Sequence, residues 1–210
     1  MIKYSILWLL NWYRSQCDGD WEHYRRIHIS TSNDPGWKVS IGLEETGLEE
    51  IPFKKFESQR TKNDWICCDK SLYEFIGSCG PQNLLELLCV FQEWAMSNQN
   101  IESYIGKPLN SEKYDIIDLD WLVKWYNQLS EKGISQDGVI KFGTIDNPGW
   151  YLMINLELVQ NVNRLFHSVR IDRSEFDWSY CDVKNNIFNG HGGPYNLPEL
   201  INIFREWIER

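Results

Sequence analysis

The sequence predicts an α+β protein made by tandem duplication, each copy a small antiparallel sheet flanked by an N-terminal and a C-terminal helix. Three observations lead there. The chain repeats itself without a gap at a shift of 113 residues. Each copy opens and closes on apolar residues at helical spacing, and between these lie short alternating runs divided by turn signals.

The repeat carries Ser5–Ser97 onto Asp118–Arg210, with about 29 of 93 positions identical. Trp8, Leu9, Trp12 and Tyr13 meet Trp121, Leu122, Trp125 and Tyr126, and Pro35-Gly36-Trp37 meets Pro148-Gly149-Trp150. Asp64-Trp65, Cys68-Asp69 and Gly80-Pro81 recur as Asp177-Trp178, Cys181-Asp182 and Gly193-Pro194. Near the end of each copy, Asn83-Leu84, Phe91 and Glu93-Trp94 recur as Asn196-Leu197, Phe204 and Glu206-Trp207. The expected organisation is repeat one over 1–97, a polar linker over 98–117 holding Gly106, Pro108, Asn110 and Ser111, and repeat two over 118–210.

The elements follow in order. Ile6, Leu9, Leu10 and Tyr13 fall at i, i+3, i+4 and i+7, one face of a helix, which Leu119, Leu122, Val123 and Tyr126 repeat. A strand is expected near Arg25–Thr31, then a turn at Asp34-Pro35-Gly36-Trp37. There proline would fix φ and glycine would take φ > 0, a type II pattern. The next strand alternates Trp37, Val39, Ile41 and Leu43 on one face, with shorter strands near Phe53–Gln59, Asp64–Asp69 and Leu72–Ile76. Asn83 with Glu86, and Asn196 with Glu199, have the spacing of a capping box ahead of the closing helix. That helix buries Leu84, Leu87, Leu88, Phe91 and Trp94, mirrored by Leu197, Leu200, Ile201, Phe204 and Trp207.

The formal net charge of −9 argues against a nucleic-acid binder and against adhesion to anionic membranes, and it would attract a basic partner. No stretch approaches the roughly 18 apolar residues of a membrane span. The apolar start of the chain recurs at Leu119–Tyr126, so it reads as a domain element and not a cleaved signal. Five of the six cysteines lie in copy one and copy two has only Cys181, which disfavours a disulfide scaffold. A cytoplasmic protein is expected.

Residues kept in both copies are candidates for the fold; residues present in one are candidates for function or drift. Ten of the eleven tryptophans have a tryptophan counterpart, and Trp21 alone does not. It lies in the richest polar cluster, Gln16-Cys17-Asp18-Gly19-Asp20-Trp21-Glu22-His23, which copy two replaces by residues 129–136 with neither Cys nor His. Three functional readings stand beside a purely structural loop: a Cys17–His23 nucleophile site, a mixed-ligand metal site, or an exposed recognition loop anchored by Trp21. Glu44, Glu45, Glu49 and Glu50 form an acidic run that is either a solvated loop or an anionic docking surface. His28, His167 and His191 have no histidine counterparts and read as satisfied or solvated side chains. Gly77-Ser78-Cys79-Gly80-Pro81 lacks the Lys-Ser/Thr of a phosphate loop and reads as the start of a helix.

Taken together, Trp-x3-Trp-Tyr, Gln-Cys-Asp-Gly-Asp-Trp-Glu-His, Asn/Asp-Pro-Gly-Trp, Asp-Trp, Gly-x2-Gly-Pro-x-Asn-Leu and Phe-x-Glu-Trp resemble the immunity protein 53 family of bacterial polymorphic toxin systems. Copy one matches throughout, and copy two in all but the polar cluster. The resemblance implies a non-enzymatic cytoplasmic protein that binds a cognate toxin and blocks it, with no cofactor and no catalytic residues. Charge favours a basic toxin domain such as a nuclease. The interface expected is Asp18, Asp20, Trp21, Glu22 and His23, with Glu44, Glu45, Glu49 and Glu50 as a second patch, on a monomer of two repeats or a weak homo-oligomer. The alternatives are a small enzyme working through the Cys17–His23 loop and an adaptor bridging two partners.

Overall fold

A computed structural model describes residues 6–24, 26–99, 117–134, 136–159 and 164–210. Copy one runs α1 (Ile6–Gln16), α2 (Trp21–Tyr24), β1 (Ile27–Ser32), β2 (Gly36–Gly42), β3 (Phe56–Gln59), β4 (Trp65–Lys70), β5 (Glu74–Cys79) and α3 (Leu84–Asn98). Copy two runs α4 (Ile117–Glu131), β6 (Ile140–Ile145), β7 (Gly149–Asn155), β8 (Val169–Ser174), β9 (Asp177–Lys184), β10 (Ile187–Gly192) and α5 (Leu197–Glu209). The expected α+β duplication is what the chain builds. Of the expected linker, Asn98 closes α3, Gln99 caps it and Ile117 opens α4; the rest lies outside the described residues.

The ten strands form one antiparallel sheet in the order β3-β4-β5-β2-β1-β6-β7-β10-β9-β8, so the copies join through β1 and β6. One row of directly paired residues crosses it: Phe56, Cys68, Gly77, Val39, Ile29, Phe142, Leu152, Gly190, Cys181 and Val169. Side chains directly opposite share a face, so this row lies beneath the four long helices, and its central members are buried. On the other face a neighbouring row carries Glu57, Cys67, Ser78, Lys38, Ser30 and Lys141, and it is polar. Charged residues mark both edge strands, Glu57 in β3 and Arg170, Asp172 and Arg173 in β8, which blunts edge-to-edge pairing.

Ile29 and Phe142, equivalent positions, pair at the centre, so a pseudo-two-fold axis passes between them. Across it the copies exchange side chains. The Tyr13 hydroxyl accepts from Gly149 N at 3.0 Å, and the Tyr126 hydroxyl accepts from Gly36 N at 3.3 Å. Each tyrosine ring also packs on the other copy's turn tryptophan, Tyr13 on Trp150 and Tyr126 on Trp37. The Thr144 hydroxyl accepts from Ile27 N at 3.0 Å and the Thr31 hydroxyl from Ile140 N at 3.2 Å, the same exchange lower in the seam. A single apolar cluster runs through both copies. Among the described residues, no helix is long and apolar enough to cross a membrane.

Two local expectations are corrected. Gly36 is not at positive φ. It opens β2, where a Cβ would stand 2.1 Å from the Cys79 carbonyl oxygen, and Gly149 is held likewise at 2.3 Å from Gly192 O. Close strand approach, not turn type, demands these glycines. Neither Asn83 nor Asn196 caps its helix through its side chain. Asn83 Nδ2 donates to Asp64 and Glu86, which Arg60 bridges; Asn196 donates to Asp177 and Glu199, which Arg173 bridges. Two carboxylates close together recruit the amide and the guanidinium, and this draws the asparagine away from the backbone.

Burial lifts the Glu199 carboxyl, but Arg173, Ser179 and Asn196 together outweigh it and leave the group below its ordinary value of 4.5. A carboxylate depressed on folding contributes stability above that value, which is lost as pH falls through the folded one. Replacing Arg173→Met is expected to cost about 1–2 kcal/mol near neutral pH, with a gap to the parent that narrows below pH 4.5 as burial then favours the protonated acid. Urea unfolding at the two pH values measures it; a gap that widens in acid would refute the assignment. Tyr13→Phe and Tyr126→Phe should each lower stability by about 1–2 kcal/mol through lost acceptors for glycine N–H groups. The same urea titration reads this, and two neutral variants would mean the exchanged hydroxyls contribute nothing.

Candidate functional site

The polar cluster that copy two lacks folds onto itself. Asp18 Oδ1 accepts from Asp20 N and Trp21 N, both at 2.9 Å, starting α2, while Glu22 Oε2 accepts from Asp18 N and Gly19 N at 3.2 Å. This reciprocal bonding closes the turn ahead of α2, with Gly19 at a φ of +109°. The Trp21 and Asp20 N–H groups hold the Asp18 carboxyl below its ordinary range.

Trp21 was expected as an exposed anchor and is instead 1% exposed. Its ring packs on Trp12 and Tyr13, and its indole donates to Glu44 O at 2.8 Å. Copy two has no counterpart, and there Trp125, the equivalent of fully buried Trp12, stays half-buried. The unpaired tryptophan is thus a core residue. Glu22 is also buried, whereas Asp18, Asp20 and His23 are exposed.

Cys17 donates its thiol to Tyr13 O at 3.3 Å. Burial, then the charge of Glu22, pushes that thiol up to about 12. A reactive cysteine needs the opposite, a thiolate favoured by nearby positive charge. Among the described residues, no three His, Cys, Asp or Glu side chains are grouped to hold a metal ion.

The acidic run forms a tight loop after β2. Thr46 Oγ1 donates to Leu43 O at 2.5 Å and accepts from Leu48 N at 3.2 Å, and Glu45 and Gly47 take φ of +64° and +78°. Leu43 and Leu48 are buried and pin the loop; Glu45 and Glu50 are exposed, Glu44 and Glu49 half-buried. Through Trp21 and Glu44 the structure brings the two expected patches together.

Beside that junction lies a groove of 400 Å³ that sequence reasoning missed, lined by Tyr24, Arg26, His28, Ser40, Glu44 and Tyr73 among others. His28 Nδ1 lies 2.7 Å from the Tyr151 hydroxyl. Burial first, then Lys141, holds its imidazole below the ordinary 6.5. Tyr24 and Tyr73 have no aromatic counterparts in copy two, where Asp137 and Asn186 stand. The test that singled out Trp21 would have found them too.

A family model described as immunity protein 53 matches residues 6–96 and again 119–209. No curated protein and no solved structure shows a significant match.

Trp21→Ala is expected to cost about 3–5 kcal/mol by leaving a cavity against Trp12 and Tyr13, whereas His23→Ala should change stability by less than about 0.5 kcal/mol. Chemical denaturation compares them; a Trp21 variant as stable as the parent would show that the ring is dispensable to the core.

Proposed function

Because the chain belongs to the immunity protein 53 family, we propose that it neutralises a cognate toxin in the cytoplasm of the producing bacterium by stoichiometric binding. The observation that carries this reading is the family match over both copies. The junction of the loops at 17–24 and 43–50 supports copy one as the binding side, because Asp18, Asp20, Glu45 and Glu50 are exposed there. With Trp21 and Glu22 shaping the loop from inside, the contact surface proposed is its exposed rim, including His23, together with the half-buried Glu44 and Glu49. An acidic rim suits a basic toxin domain, a nuclease being one example, since opposite charge accelerates encounter and can cover a phosphate-binding cleft.

The enzymatic alternative has little to work with. Its nucleophile would be Cys17, a thiol held protonated by burial. Binding without turnover accounts for the same loop.

Co-expression with the toxic product of the neighbouring gene tests the proposal: growth should be restored and the two proteins should co-purify at a fixed ratio. Continued killing with no co-purification would sink it. Reversing Asp20, Glu45 and Glu50 to lysine should slow association by about tenfold at low salt, with the difference fading as salt rises. Stopped-flow association rates report this, and a salt-independent rate would exclude charge steering.

A further inference from the structure

We propose that the groove between Tyr24 and Tyr73 is a receptor for one cationic side chain, arginine or lysine, of the protein partner, and that copy two has no equivalent. Tyr24 is 76% exposed and Tyr73 55% exposed, both lining the groove. Glu44 and Glu74 add carboxylates, and Ser40 donates its hydroxyl to Glu74. Aromatic faces with carboxylates attract a cation by its charge and by the ring quadrupole, and a tyrosine gives large contact area at small entropy cost. Among the described residues lining the groove, the two groups that could oppose this are accounted for. Arg26 is paired with Asp146, and His28, facing Tyr151 and Lys141, is uncharged at neutral pH.

The second copy shows that the fold does not require these residues. Tyr24, His28, Ser71, Tyr73 and Glu74 are matched there by Asp137, Lys141, Lys184, Asn186 and Ile187. The sheet framework is shared, yet α2 has no counterpart and both aromatic rings are gone; the carboxylate lost at Ile187 is offset by Asp137, two lysines have arrived, and Arg26 gives way to Val139. There Asp137 and Glu157 are balanced by Lys141 and Lys184 and no aromatic face is present, so a cation finds neither attraction. One chain therefore holds one such receptor, and one toxin is captured per chain through copy one.

For the identity of the partner the inference rests on the toxin-binding reading, so the experiment has two arms. In the first, Tyr24→Ala with Tyr73→Ala, and separately Glu74→Lys, are compared with Glu157→Lys, the copy-two equivalent of Glu44. All are made in the full chain with melting curves confirming the fold. Toxin affinity should fall about tenfold or more in the groove variants and stay within about twofold in the control. If the parent protects and the groove variants bind as tightly, the groove inference is overturned and the immunity reading stands. In the second arm the isotope-labelled full chain is titrated with a tetra-arginine peptide. Amide signals of Gly42, Ser71 and Glu74 should move, and those of Asn155 and Lys184 should not. Should the parent fail to protect, the immunity reading falls and this arm decides alone: equal shifts in both copies, or none at the groove, overturn the receptor.

Discussion

Two tyrosines cross from the copy that grows them into the copy that needs them. Tyr13 leaves α1 to receive Gly149 N and to pack on Trp150; Tyr126 leaves α4 to receive Gly36 N and to pack on Trp37. Beneath them, threonine hydroxyls make the same trade with Ile27 and Ile140. Because both glycines open a strand pressed against a neighbouring carbonyl, nothing larger fits there. Were this seam open, β1 and β6 would become edge strands, and Ile27, Ile29, Ile140 and Phe142 would lose cover. The continuous sheet, the shared apolar cluster and the placing of the helices all follow from its being closed.

With the four long helices on one face, the other face of the sheet is left to polar side chains and to the loops that close over its end. Copy one fills its α1–β1 connection with a short helix whose tryptophan reaches into the core and fastens the acidic loop through Glu44 O. That single indole thereby links two loops far apart in sequence and holds the backbone of Glu44, a residue that lines the groove. The carboxylates on the rim are exposed because the backbone beneath them is already satisfied by Asp18, Glu22 and Thr46.

Much of this was legible in the residues, and the limits have physical causes. Periodicity gave the helices and the β1–β2 hairpin, since half-buried elements write their packing into the spacing of apolar side chains. The duplication marked Asp64, Asn83 and Glu86 with Asp177, Asn196 and Glu199 as recurring residues, and in the structure Arg60 and Arg173 join them in the same network in both copies. Their role was misread, because a local capping rule knows nothing of a guanidinium arriving from another strand. Trp21 was misread for the opposite reason. Absence from copy two was taken to mean exposure, whereas the two cores are filled differently. The join between β1 and β6 leaves no trace in either copy's pattern, since pairing with a partner copy looks the same as pairing within one. Tyr24 and Tyr73 could have been flagged by the same comparison of copies, but that they line one groove shows only in the fold, since they are nearly fifty residues apart.

The pseudo-two-fold axis through Ile29 and Phe142 has the geometry of an isologous dimer whose protomers have become covalently joined. In a dimer of identical chains every substitution is made twice, once on each side of the axis. Lysines that spoil one groove would spoil both. Joining the halves end to end lifts that constraint: one half is free to change its surface while still supplying the tyrosine, threonine and glycine that its neighbour depends on. The second copy holds its side of the seam and lacks the aromatic groove, so it behaves as a permanent subunit, free to carry a surface of its own.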